Sequence, residues 1–278
     1  MDAKTQSLEP PPLAATGGRA DDRRGGFTAF LVKLLVAVLA FRILAFAPFS
    51  IPSESMLPRL MKGDYLLAAK WPYGISRHSL PFALPLPEGR LFAASPERGD
   101  TVIFKHPVDG REYIKRVIGV PGDRVAVRGG EVLLNGAPVR RDRIEDALIP
   151  LSPNTGCAWG GTMVATGEDG EACAYARFRE TLPEGRSYDV LDFGPTPADS
   201  FAEVTVPPGR LFVMGDNRDN SLDSRFPAEA GQGVGLVSED RLIGRAALIV
   251  WSTDGSADWL NPVSWFAAAR WERIGDLL

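Results

Sequence analysis

A chain of 278 residues, 45% of them hydrophobic and 24% charged, has ample apolar material for one large or two modest folded units. Its formal charge of −4 argues against a protein whose main partner is a nucleic-acid backbone. Two histidines, His78 and His106, and two cysteines, Cys157 and Cys173, are too few for the common His/Cys zinc sites, so neither a metal nor a cofactor is expected.

Residues 1–26 carry Pro10, Pro11 and Pro12, paired glycines and alternating charges. They cannot bury enough apolar surface to fold and are expected to form a disordered tail. Residues 27–49, "FTAFLVKLLVAVLAFRILAFAPF", are long enough to cross a ~30 Å hydrocarbon core at ~1.5 Å per residue, which predicts one transmembrane helix. Lys33 lies near its start, whereas Arg42 is deeper and costs up to ~3 kcal/mol at a bilayer centre. A buried core helix and a cleaved export signal are the competing readings. "AFA" at Ala45–Ala47 has the small-x-small form of a cleavage site, but Pro48 follows it, with a fixed φ and no amide hydrogen to offer a protease. An uncleaved anchor is therefore favoured. Arg19, Arg23 and Arg24 precede the span and hold the tail in the cytoplasm, so everything after Phe49 is exported.

Beyond the anchor the chain is a series of short apolar runs punctuated by Gly, Pro and Asp. "DYLLAAK", "DTVIFKH", "EYIKRVIGV", "DRVAVRGGEVLLNG", "AEVTVPPGRLFVMGD" and "RLIGRAALIVW" read as strands, which predicts a mainly antiparallel β fold. Gly129-Gly130 and Asn135-Gly136 are hairpin turn signals. The less patterned stretch 138–200 is expected to be an insertion between two parts of a core, 50–137 and 201–278. It holds both cysteines, and a disulfide closing their loop of about 15 residues would contribute ~3 kcal/mol on the oxidising side of a membrane; two free thiols is the alternative.

Three stretches carry candidate chemistry. In "IPSESMLP", Ile51–Pro58, two serines stand in a proline-bounded segment close to the anchor. In "EYIKRVIGVPGD", strand alternation puts Tyr113, Lys115 and Val117 on one face and Ile114, Arg116 and Ile118 on the other. Both faces are largely apolar, so a buried Lys115 would lose its charge and become a general base able to activate a serine, unless both cations snorkel to the sheet edge. "MGDNRDNSLDSR", Met214–Arg225, suits a turn tied down by Asp–Arg pairs. An arginine at one ligand position and the missing glycine and glutamate rule out an EF-hand.

Taken together, "PSESMLPRL", "KGDYLLAAK", "RGDTVIFKHP", "YIKRVIGVPGD" and "MGDNRDNSLDSR", in this order behind an apolar segment, resemble type I signal peptidase. The resemblance implies a serine endopeptidase of the bacterial inner membrane with one N-terminal span and a β-rich periplasmic domain. Its partners would be signal peptides of exported pre-proteins and membrane lipid. On these positions Ser55 matches the nucleophile and Lys115 the base, while the Ser53 hydroxyl and the Ser55 amide match the oxyanion hole. Ser221 matches a residue that hydrogen-bonds the lysine, and Asp216, Asn217, Arg218, Asp223 and Arg225 match the supporting loop. Phe49, Ile51, Met56, Leu60, Ile103 and Ile114 match the lining of apolar pockets for small residues at −1 and −3. Glu54 stands where relatives commonly have glycine, and would be strained if φ there had to be positive. Other Ser/Lys hydrolases fit less well: "SESM" lacks the S-x-x-K of penicillin-binding proteins, and a self-cleaving repressor needs no anchor. A non-enzymatic membrane-anchored module is the remaining alternative.

Overall fold

The computed structural model describes residues 21–79, 89–167, 170–258 and 260–278. Residues 1–20 of the expected tail, the proline-rich loop Leu80–Pro87 and Trp259 lie outside the described residues. The chain divides into a unit at Met1–Phe41 and a compact unit at Arg42–Leu278. A helix runs Asp21–Leu44, and its described side chains, from Gly26 to Leu39 and at Phe41, are exposed. Among the described residues no helix is long and apolar enough to cross a membrane. The side chains of Ala40, Arg42, Ile43 and Leu44, part of the expected span, lie outside the described set.

The far end of that expected span is corrected: Phe46–Ser50 is a strand. Pro48 is the reason, because it cannot donate a helical hydrogen bond and biases the residue before it towards extended backbone. At the edge of a sheet a proline is tolerated, and this strand is the edge of a seven-stranded antiparallel sheet ordered 46–50, 64–69, 242–252, 101–105, 112–119, 210–214 and 237–238.

The sheet is covered on both faces. Ile114 packs with Phe49, Met56, Leu60 and Ile249, and Val117 with Val102, Phe104, Val213 and Leu242. Snorkelling is thereby ruled out for the adjacent cations: Lys115 is 4% and Arg116 8% exposed.

Within 138–200 the strands Arg140–Pro150, Thr162–Thr166, Gly170–Thr181 and Ser187–Leu191 form a sheet of their own. Cys157 and Cys173 are disulfide-bonded there, with Cα atoms 5.2 Å apart. A small third sheet joins Ser200–Thr205, Arg124–Arg128, Glu131–Leu134 and Ala137–Pro138. Its two turns are the expected ones, with positive φ at Gly129, Gly130, Asn135 and Gly136, as type I′ turns require.

Candidate active site

The segment 51–63 links the edge strand Phe46–Ser50 to its neighbour Asp64–Ala69, and buried Asp64 folds it back. The Asp64 carboxylate accepts from the Met61 amide at 2.8 Å and from Ser252 Oγ at 2.7 Å, and pairs with Arg273. Its backbone oxygen accepts from the Ile51 amide at 2.8 Å. Leu57 and Met61 pack against Ile149, Cys173 and Tyr175 of the inserted sheet, so the disulfide lies beside the segment that follows Ser55. Among the described residues only Phe92 and Asn135 have positive φ without being glycine. Glu54 is therefore not strained.

Ser55 is 7% exposed and lies opposite Lys115, with Nζ and Oγ hydrogen-bonded at 2.7 Å. Burial lowers the Lys115 pKa to about 8, against the opposing pull of Asp223 and Asp216. A neutral amine accepts the hydroxyl proton that an ammonium cannot. Ser53 Oγ is 3.4 Å from Ser55 Oγ. His106 is buried elsewhere, with Nε2 at 3.1 Å from the Gly233 carbonyl oxygen and Nδ1 accepting backbone amides.

The 214–225 segment supports this pair from below through its backbone and its ions. The Asn217 amide donates to the Ser55 carbonyl oxygen at 3.0 Å, and Asn217 Nδ2 donates to the Glu54 carbonyl oxygen at 3.1 Å. Gly215 is required by space: a Cβ there would lie 2.3 Å from Ser221 Oγ and 2.5 Å from the Ser55 carbonyl oxygen.

Of the expected Asp–Arg pairs, only Asp223–Arg225 closes within the segment, with Arg225 Nε at 2.9 Å from Asp223 Oδ1. Burial pushes the Asp223 carboxyl up, but Arg225 and the Gly215 amide hold it below the usual carboxylate range. Asp216 instead takes a bidentate bond from Arg116, at 2.7 and 2.6 Å. Arg218 pairs with Glu180 of the inserted sheet, both buried. Glu180 carries no signal in the sequence, since it lies in an unpatterned stretch whose register only strand pairing reveals.

Ser221 lines the same cavity as Lys115. Among the described residues its Oγ completes no hydrogen bond, so the expected bond to the lysine is absent here. It lies close enough to Asp223 to help hold that carboxylate ionised.

A cavity of about 510 Å³ opens over Ser55 and Lys115, lined by Phe49, Ser53, Tyr113, Ile114, Leu222 and Phe226 among others. Phe49 and Ile114 thus fall where a pocket lining was expected. Ile51 and Ile103, 2% and 0% exposed, belong to the same buried cluster as Phe49 and Ile114 but are not among the residues that border this cavity. Met56 and Leu60 are also buried and border a different cavity.

A family model described as signal peptidase, peptidase S26, matches residues 25–251. Signal peptidase I of Rickettsia typhi (strain ATCC VR-144 / Wilmington) is 36% identical over 237 residues, covering 82% of this chain and 80% of that protein. Signal peptidase I of Rickettsia massiliae (strain Mtu5) is 33% identical over 265 residues, covering 88% and 90%. A crystal structure of a signal peptidase I from Enterococcus faecalis V583 is 23% identical, covers 55% of this chain and 97% of its own, and has a TM-score of 0.29.

Proposed function

Since this chain belongs to the peptidase S26 family of signal peptidases, and is thus a serine endopeptidase that removes signal peptides, we propose that it does so with Ser55 as nucleophile and neutral Lys115 as general base. The observation that carries this reading is the 2.7 Å contact between Lys115 Nζ and Ser55 Oγ, at the floor of an open cavity, on a lysine whose pKa burial lowers to about 8.

Lys115 takes the Ser55 proton as Oγ attacks the scissile carbonyl carbon, and the carbonyl π pair moves to oxygen. The Ser55 amide and the Ser53 hydroxyl donate to that oxyanion. The C–N bond then breaks, Lys115 returns the proton to the leaving amine, and the signal peptide remains as an ester on Ser55. Water, deprotonated by the same lysine, hydrolyses the ester and frees the enzyme. Asn217 engages the carbonyl groups of residues 54 and 55 and so fixes the backbone that carries the Ser55 amide. Apolar Phe49 and Ile114 favour small residues at −1 and −3. Purified chain and a pre-protein with a small-x-small site test the reading: Ser55→Ala must abolish cleavage while the circular dichroism of the folded state is retained, and retained cleavage contradicts it.

The membrane setting is part of the same proposal. The Asp21–Leu44 helix exposes Phe27, Phe30, Leu31, Leu35, Val36 and Leu39, which at about 100° per residue spread around most of its circumference. A helix apolar all round needs a protein core or lipid around it, and lipid suits a single-pass anchor in the bacterial inner membrane with its N-terminus cytoplasmic. A second lipid contact fits the far end of the chain, where Leu260, Val263 and Phe266 are 87%, 75% and 65% exposed and Trp271 stacks on Phe266. Flotation of a chain beginning at Phe46 with vesicles tests it. Replacing Leu260, Val263 and Phe266 with Ser must release that protein from lipid, and no flotation of the parent protein means the second contact does not exist.

A further inference from the structure

A second cavity, of about 810 Å³, lies between the seven-stranded sheet and the inserted sheet, bordered by guanidinium groups. Three of its arginines are engaged elsewhere. Arg116 forks onto Asp216, Arg273 pairs with Asp64, and Arg59 donates to the Leu277 carbonyl oxygen and faces Asp276. Four remain: Arg177, Arg179, Arg186 and Arg245.

Against these four the lining offers two side-chain carboxylates, Asp189 and Asp100, and each is shared. Asp189 serves both Arg177, at 3.4 Å, and Arg179, at 2.8 Å. Asp100 accepts from Arg186 at 2.8 Å, from the Tyr73 hydroxyl at 2.8 Å and from the Glu97 amide at 3.1 Å. It leaves Arg245 at 3.8 Å, beyond hydrogen-bonding distance. Glu97 reaches Arg186 at 3.0 Å, but its side chain is 76% exposed, where solvent screens an ion pair.

The four guanidinium groups thus outnumber the side-chain carboxylates that line the cavity, and Arg245 stands beyond hydrogen-bonding distance of Asp100. Strand alternation adds geometry to the charge: Arg177 and Arg179 stand two residues apart on the strand Gly170–Thr181 and so face the same side. Across the cavity, Arg245 projects from the strand Leu242–Ser252. Guanidinium forks borne on two sheets around one cavity can share the several oxygens of a phosphate dianion, whose double charge draws more of them than a carboxylate's single one.

We propose that this cavity is a binding site for a phosphate dianion, either free or as a monoester, held by Arg177, Arg179, Arg186 and Arg245. The site is independent of the serine chemistry. It adjoins it, however, since Met56 and Leu60, in the segment just after Ser55, form part of its wall.

The test is isothermal titration of the full chain in neutral detergent with sodium phosphate, at constant ionic strength against a chloride control. Saturable binding with a dissociation constant below ~1 mM is expected, weakened about ten-fold or more in R179A/R245A. Signal-peptide cleavage in phosphate-free buffer should be unchanged in that variant. Asp189→Asn, which removes a competing carboxylate, should tighten binding several-fold, a gain that misfolding cannot produce. Vesicles of neutral lipid doped with phosphatidic acid separate the two sources of the phosphate group: competition by these vesicles identifies a lipid monoester as a ligand, and its absence beside saturable phosphate binding identifies the free ion. No saturation by ~20 mM phosphate, equal affinity in R179A/R245A, or no tightening in D189N overturns the proposal.

Discussion

Lys115→Met should make the protein inactive and, at neutral pH, more stable. Methionine keeps an unbranched apolar stem and removes the amine. A lysine whose pKa falls from 10.5 to about 8 on folding costs the folded state about 3 kcal/mol wherever both states are protonated, at about 1.4 kcal/mol per decade. The substitution also loses the hydrogen bond to Ser55, about 1 kcal/mol. The net expectation is a stabilisation of about 2 kcal/mol at pH 6. Between pH 8 and 10.5 the unfolded chain keeps a proton that the folded chain has released, so wild-type stability rises with pH through this window. The advantage of the methionine variant should therefore shrink across it and reverse by about 1 kcal/mol at its upper end. Urea unfolding of both proteins in neutral detergent, at intervals from pH 6 to 10.5, reads the difference. A variant less stable than wild type at pH 6, or a difference that does not change with pH, would refute the claim that burial neutralises this lysine.

The kcat/KM of the wild type should rise with pH through about 8, and Lys115→Arg should be as inactive as Lys115→Ala because a guanidinium keeps its proton; turnover by the arginine variant contradicts the base assignment. Ser53→Ala should lower kcat by ~10²-fold with KM nearly unchanged, since its hydroxyl matters most as charge develops on the carbonyl oxygen; a change confined to KM speaks against that role. Gly215→Ala should cost a similar ~10² in kcat through displacement of the Ser55 backbone, and wild-type kinetics would mean the segment yields freely. Glu180→Ala leaves buried Arg218 unpaired and should destabilise by ~3–5 kcal/mol, most of it regained in the double variant E180M/R218M. Denaturant midpoints check this, and a loss under ~1 kcal/mol for Glu180→Ala removes the ion pair from the account.

The chemistry was legible in the sequence where it depends on neighbours in the chain. Two serines in "PSESM", the Lys-Arg step in "YIKR" and the ion-rich "GDNRDNSLDSR" are short enough to be read directly, and strand alternation already sent Lys115 and Arg116 to opposite faces. The β character and the paired glycine and Asn-Gly turns followed from local propensity in the same way. Pro48, by contrast, is in the sequence an obstacle to cleavage, and only in the fold does its fixed φ also end the helix early and start the edge strand.

What tertiary structure decided is everything set by solvation or by partners distant in sequence. Whether Lys115 is neutral depends on both faces of its strand being covered, by clusters drawn from Phe49 to Ile249. Arg218 meets Glu180, 38 residues away, and Arg116 meets Asp216, 100 residues away. No local pattern encodes such pairs. The same holds for the expected pocket residues, of which Phe49 and Ile114 border the cavity while Ile51 and Ile103 share their cluster without bordering it: all are apolar strand or loop residues, and access to a cavity is a property of the packed layers. A side chain's type follows from its codon, but its charge, exposure and partner are set by what the rest of the chain brings against it.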